Sequence, residues 1–556
     1  MGSHASSDAR LTIQETDEAN NPTVTYIFSR QDTQKSASSD GGRVDILIWL
    51  VNKACIPKEK SMSEWYGKFG FPPHGFMDLV AVGFLAQDQL HMGPAQPRVR
   101  PRGPQSRSSP ISAMCFFPQG IPRDSLQAFC SSIAGLLSSR AVLQGVGVGN
   151  ADASPTSALF LHILQDTSGR IATILFAHRV GTALEPECKT YRLAADVFND
   201  FAMILDCLSP MVPAGVMRVS ILSAAGVLRA LCGVAGGSSK ASLSAHFARW
   251  GNLAELNAKD SSQETVISLV GMLVGSVVVS HVTGFTTTWV SLLTLLALHL
   301  SLNYAAVHSV QMTSLNRQRA NIVLSALFES DTEIDLTATS ITSKTEPKSE
   351  HDDTSKHPHT WKVLTPAQVA SQERIFHRGG ALQWMSLSRG TKTYLGSAEI
   401  GISLDSFFKH ARRYTHSTCS TTRSRSGSTS FQTPLPLQQL KTLFTNESYI
   451  LFLFPSSRSK WHASILLKKG CTVTAQLKGW AHALLAARVL SETSSSLKDT
   501  HSSQMSQDVF DVVASVLDIL HRGEKFGGYV AALKGVGWDV DVGALETRGG
   551  RRVSFG

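Results

Sequence analysis

Lys259, Asp260, Gln263 and Glu264 form the densest polar group in the most apolar part of this chain. A lysine beside two carboxylates at a helix start has the groups for a proton relay or for a Schiff base with a carbonyl compound. The same stretch has a purely structural use. Ser261-Ser262-Gln263-Glu264 reads as a capping box, in which the serine hydroxyl and the glutamate satisfy amides at the mouth of a helix. Gly145, Gly147 and Gly149 raise a second chemistry, phosphate binding. A dinucleotide loop needs G-x-G-x-x-G after a strand, whereas here the third glycine comes one place early and residues 126–143 have helical spacing. Ser154 as cap and Pro155 at the first helical position then begin another helix. The stretch therefore reads as a turn between two helices, with amides that could hold an anion. Residues 233–240 lack the contiguous G-K-[ST] of a phosphate loop, and their glycines read as helix-packing positions. His357 and His359 fall in a low-complexity linker, so no metal site is expected there. No zinc-protease, nucleophile-elbow or kinase motif is present; no catalytic residue is assigned and no cofactor is indicated.

The elements that carry these residues are apolar. Between Glu264 and Arg317 there is no Asp, Glu, Lys or Arg, a stretch long enough for two membrane spans of about 20 residues each. Residues 265–282 and 285–304 are the spans and 281–284 the turn. Lys259 precedes this hairpin, while Arg317 and Arg319 follow it, which places the shared face on the cytosolic side or its equivalent. Gly271 and Gly275 form a G-x-x-x-G that lets another helix approach closely. The competing reading is a buried helix pair inside a soluble domain. Residues 198–237 are also apolar, but they contain Asp200, Asp206, Arg218 and Arg229 and are broken by Pro210 and Pro213. They read as helices partly embedded against the hairpin.

At 556 residues the chain has room for about three domains. Charged residues make up 17% against the usual share of about 25%, yet mean hydropathy is zero. That combination excludes a disordered chain, a collagen and a small disulfide scaffold. The formal charge is +9, but the arginines lie partly in polar tails without interleaved aromatics, so no nucleic-acid partner is expected. Eight scattered cysteines, with no C-x-x-C, favour a reducing compartment. Four regions follow: a variable, largely disordered N-terminal region at 1–110, with strand-like runs at 23–28 and 44–51; a helical membrane core at 111–330; a disordered linker at 331–360; and an α+β domain with low-complexity insertions at 361–556. In the last, 449–454 and 461–467 read as a β-hairpin, and 474–490 and 509–521 as helices. The fold class is mainly α, a membrane-associated helical core followed by a small α+β domain.

These segments together resemble the root UVB sensitive family. The stretches that carry the resemblance are RAVLQGVGVGNADASPTSA (140–158), YRLAADVFND (191–200) with Asp196, Asn199 and Asp200, the long block 232–269 with Lys259 to Glu264, and LNRQRANIVL (315–324) with Asn316, Arg317 and Arg319. GCTVTAQLKGWAHALL (470–485) is similar to the family's C-terminal block. Asn150 and Ser261 stand where the family usually has Asp and Gly. The resemblance implies a multi-pass membrane protein in contact with lipid, with a protein partner that is a paralogue or a second copy. It also implies a link to UV-B responses, auxin transport and vitamin B6 homeostasis, without an agreed reaction. A scaffold or transport-related component is the expectation. A cofactor-binding protein tied to vitamin B6 and a soluble helical interaction protein are the alternatives.

Overall fold

The computed structural model describes residues 11–17, 20–30, 44–47, 121–146, 155–213, 215–248, 251–334, 361–387, 390–416, 437–457, 459–493 and 502–555. Among the described residues, six long helices run from 121 to 309: α1 (Ile121–Val146), α2 (Pro155–Val180), α3 (Cys188–Leu208), α4 (Val216–Phe247), α5 (Leu253–His281) and α6 (Phe285–Ser309). Their breaks follow local chemistry. Ser209-Pro210-Met211 forms a short 3-10 turn after α3, and Gly215, at φ +132°, opens α4 where a side chain would be strained. The turn between α5 and α6 spans 282–284, within the predicted 281–284, with His281 still in α5. Among the described residues, α1, α4, α5 and α6 are long and apolar enough to cross a membrane. The 25 residues of α6 reach about 37 Å, beyond a hydrocarbon thickness of about 30 Å.

The start of α5 differs from the expectation. The helix begins at Leu253 behind Asn252, so Ser261 lies two turns inside it and caps nothing. Its carbonyl instead accepts from Thr265 Oγ1 at 2.7 Å. Residues 253–260 are rich in Ala, Leu, Glu and Lys, strong helix formers that carry the helix past the Ser261 pattern.

The bundle packs α1 against α5 and α6, and α3 against α4, α1 and α6. Gly271 and Gly275 set the α1–α5 approach. A methyl at Gly271 would come 2.7 Å from Ser132 Cβ, and one at Gly275 2.7 Å from Leu136 Cδ1. The small-residue face is therefore occupied by the chain's own first helix.

After α6 the chain enters an α+β body. It contains α7 (Arg317–Ser330), α8 (Pro366–Ala370), α9 (Leu404–His416), α10 (Leu437–Leu443), α11 (Val473–Thr493), α12 (Ser502–His521) and α13 (Lys525–Gly535). The strands are β1 (Leu11–Thr16), β2 (Pro22–Arg30), β3 (Val44–Leu47), β4 (Ala381–Met385), β5 (Lys392–Ile400), β6 (Tyr449–Ser457), β7 (Lys460–Lys468) and β8 (Arg552–Phe555). The order is β3-β2-β1-β8-β7-β5-β4, with β6 on the other side of β7. β6 and β7 are the hairpin read from the sequence, while β5 and β8 run parallel to β7 along successive parts of its length. β1, which the sequence reading did not anticipate, pairs with β8, so the two ends of the chain share a ladder.

α7 is the hub of this body. It is buried on every side, with Ala320, Val323, Leu324, Leu327 and Phe328 in one core with Trp384, Tyr449 and Trp480. A short helix that is apolar on several faces must sit in an interior.

Candidate functional site

α3 carries its ionisable groups inward. Asp196, Asp200 and Asp206 are all buried, on a helix whose other faces pack against α1, α4 and α6. The first two are four residues apart and so lie one above the other. On α6, His299 and Asn303 have the same spacing and are both about 1% exposed. His299 Nδ1 lies 2.9 Å from Oδ1 and 3.1 Å from Oδ2 of Asp200. Deeper in the bundle, Asp206 accepts from Ser138 Oγ at 2.9 Å and pairs with Arg229 of α4. Asp196 Oδ2, Asp206 Oδ1 and Asn303 Nδ2 are enclosed without a hydrogen-bond partner. Buried polar atoms of this kind are uncommon and need an account.

At the upper level, Arg192 lies 3.7 Å from Asp196 and in the field of Asp124 and Glu264. Lys240 of α4 bridges Asp260 at 2.8 Å and Glu264 at 2.7 Å on α5. The polar group at 259–264 thus divides three ways. Asp260 and Glu264 face α4, and Gln263 Nε2 donates to Ser125 of α1 at 3.2 Å. Lys259 turns outward and pairs with Glu255 on its own helix at 2.6 Å.

Above that level lies the joint with the α+β body. Glu373 takes Lys189 of α3 at 2.7 Å and Arg319 of α7 at 2.9 Å, and all three side chains are at most 5% exposed. Burial pushes the Glu373 carboxyl up, but Arg319 and Lys189 outweigh it and hold the group below the ordinary glutamate range. Asn316 caps α7 by accepting from the Arg319 amide at 2.9 Å, and its Nδ2 donates to Glu187 at 3.2 Å. Arg317 Nε donates to the Leu545 carbonyl at 2.7 Å. Arg317 and Arg319 are therefore structural cations of the joint. In the sequence they orient the hairpin by charge bias, and in the fold both are buried at the joint.

Of the remaining sequence-predicted positions, Gly145 ends α1 with its carbonyl held by Arg218 Nη1 at 2.6 Å. Gly147 and Gly149, with Ser154, lie outside the described residues. Asn199 is half-buried on α3. Sequence reasoning did not select His299, Asn303, Lys240, Lys189 or Glu373. For the first two a signal existed: polar residues four apart inside an apolar helix mark an inward stripe.

The class these features define is a helical bundle with ionisable groups buried in an apolar interior and large apolar side chains exposed outside, fused to an α+β body. Residues 121–331, which run from α1 to just past α7, match the family described as the vitamin B6 photo-protection and homoeostasis domain. That stretch is a root UVB sensitive domain, and the chain is similar to several root UVB sensitive proteins. It is 43% identical over 204 residues to RUS family member 1 of Dictyostelium discoideum, covering 36% of this chain and 38% of that protein. To root UVB sensitive protein 3 of Arabidopsis thaliana it is 27% identical over 395 residues, 68% of this chain and 76% of that one. The chloroplastic root UVB sensitive protein 2 of Arabidopsis is 20% identical over 439 residues, 77% and 81% of the two chains. No solved structure matches.

The vitamin B6 description raises the question of a pyridoxal phosphate Schiff base at Lys259. The residues there do not fit it. Such a lysine is set up by burial or by a neighbouring cation. The Lys259 side chain is 74% exposed and its ammonium is held by Glu255.

Proposed function

We propose that this protein is a non-enzymatic, multi-pass membrane component of the root UVB sensitive family, transport-related, with the α+β body at one aqueous face. The observation that carries the reading is the combination of large apolar side chains exposed on the bundle and ionisable ones buried within it. Phe160, Ile174, Leu273 and Phe285 are each more than 60% exposed on the outside of the bundle. Inside it lie Asp196, Asp200, Asp206, His299 and Asn303. In water the outer face would be an aggregation surface. In a bilayer it is the lipid contact, and interior ionisable groups are the usual mark of an ion or solute path. From Asp196 to Asp206 the groups on α3 span about 15 Å at 1.5 Å per residue, about half the hydrocarbon thickness. A scaffold needs no such line, which favours the transport-related role. The family's vitamin B6 description makes a vitamer-class solute the first cargo to try.

Membrane integration is tested by alkaline carbonate extraction of the full chain. The protein should stay in the pellet, and a cysteine placed at Thr283 should react with an impermeant reagent only from the side opposite the α+β body. Release into the supernatant overturns the proposal. The interior line is tested in proteoliposomes holding a pH-sensitive dye. Wild type should relax a proton gradient faster than Asp206→Asn, and equal rates would reduce the role to a scaffold.

A further inference from the structure

We propose that Glu399, His410 and His462 bind a divalent transition-metal ion of the zinc class, which pins α9 to the sheet. Their ligand atoms, one from each residue, all lie within 4.8 Å of one another, and the three side chains come from β5, α9 and β7. The register explains the convergence. β5 and β7 pair in parallel with Ser397 opposite His462 and Glu399 opposite Ser464. Alternation along a strand then puts all four on one face. Across β6 the partners on that face are Phe454 and Phe452, and α9 lays Phe407 against Phe454 with ring centroids 5.7 Å apart. A half-buried polar group of two imidazoles, a carboxylate and two hydroxyls thus lies beside the aromatic side chains of β6 and α9.

The ring geometry is that of paired ligands. His462 Nδ1 lies 2.8 Å from Ser397 Oγ, a partner that orients the ring and leaves Nε2 aimed at the ligand position. His462 Nε2 lies 3.2 Å from His410 Nδ1, with ring centroids 4.2 Å apart at 69°. Two nitrogens on one tetrahedral zinc stand about 3.3 Å apart, given Zn–N bonds of about 2.0–2.1 Å. Ser464 Oγ lies 3.1 Å from His410 Nδ1, the nitrogen that faces His462, so this hydroxyl must release that nitrogen when a metal binds. Two imidazoles and one carboxylate suit zinc and its neighbours better than calcium or magnesium, which take oxygen ligands. The Glu399 carboxylate also meets Arg548 at 3.3 Å, and the Arg548 side chain is 74% exposed. That arginine occupies the charge a metal would use, so cation and metal compete for the same carboxylate.

The full chain, purified in detergent and stripped with a chelator, is titrated with zinc and the bound metal counted by mass spectrometry after dialysis. Cobalt in place of zinc gives a visible d–d spectrum as a second readout. We expect one ion per chain, lost in the triple variant Glu399→Gln/His410→Ala/His462→Ala. Ser397→Ala should weaken binding roughly 10- to 100-fold, as loss of an orienting partner does. Arg548→Ala should tighten it severalfold, an outcome that a simple hydrogen-bonded histidine pair does not produce. Should the histidine variants fail to fold, Glu399→Gln and the exposed Arg548→Ala decide the matter alone. Equal zinc in wild type and the Glu399→Gln variant, or no effect of Arg548→Ala, overturns the site.

Discussion

Lys189 on α3 and Glu373 in the segment after α8 meet at 2.7 Å where the bundle joins the α+β body, with 4% and 5% of their side chains exposed. Arg319 completes a triad in which one carboxylate serves two cations. Glu373→Ala leaves both cations buried without a counter-charge, and breaking a buried pair in this way costs about 3–5 kcal/mol. Glu373→Gln should cost less because it keeps an acceptor. Thermal unfolding of the α+β body in detergent measures both. The folded carboxyl lies below its unfolded value of about 4.3. Its stabilising contribution is therefore complete above about pH 4.3 and is lost as pH falls through the lower folded value.

The two glycines of α5 give a contrast with a glycine of α4. Gly271→Ala and Gly275→Ala place a methyl 2.7 Å from Ser132 Cβ and Leu136 Cδ1 respectively. Each should destabilise the bundle by about 1–3 kcal/mol, the usual range for overpacking. Gly237 has nothing within 4 Å of the added methyl, so Gly237→Ala should stabilise by about 0.5–1 kcal/mol through helix propensity. Melting curves in detergent should separate the three variants by sign.

Asp206 and Arg229 should behave as a coupled pair. Asp206→Asn strands Arg229 and also weakens the acceptor for Ser138. A double-mutant cycle with Arg229→Gln should return a coupling of about 1–3 kcal/mol. Additive effects would mean that each group is satisfied independently.

His482 predicts an acid limit for the α+β body. Burial pushes its imidazole down to about 3, and the ring is held between Tyr449 Oη at 3.0 Å and the Val513 carbonyl at 2.9 Å. The folded value is below the unfolded one of about 6.5. Folding is then unaffected above about pH 6.5, and stability falls as pH drops from there to about 3, at up to roughly 1.4 kcal/mol per pH unit. Fluorescence of the neighbouring buried Trp480 can follow it. His482→Gln should flatten this dependence while lowering stability at neutral pH.

The hairpin was legible because its signals are local. A charge-free run marks the apolar parts of α5 and α6, and residues 282–284 break it. The β6–β7 pair, α11 and α12 were legible from periodicity for the same reason. The start of α5 was misread because a capping pattern is only a preference, and favourable helix formers before Ser261 override it. The inward stripe on α3 was half visible: Asp196 and Asp200 stood out as motif residues, but nothing local named His299 as the partner of Asp200.

The sequence by itself determined the apolar hairpin, where it turns, and the β6–β7, α11 and α12 segments of the α+β body. Those properties depend on residues within a few turns of one another. Only the tertiary structure decided what the charges do. Lys189 finds Glu373 184 residues away, and Trp480 donates to Asn321 at a separation of 159. It also decided that β1 lies beside β8 and that β5 and β7 bring Glu399 and His462 to one face. A buried ionisable group must be paired to be tolerated. Its partner is chosen by the packing of whole elements, and no local pattern carries that choice.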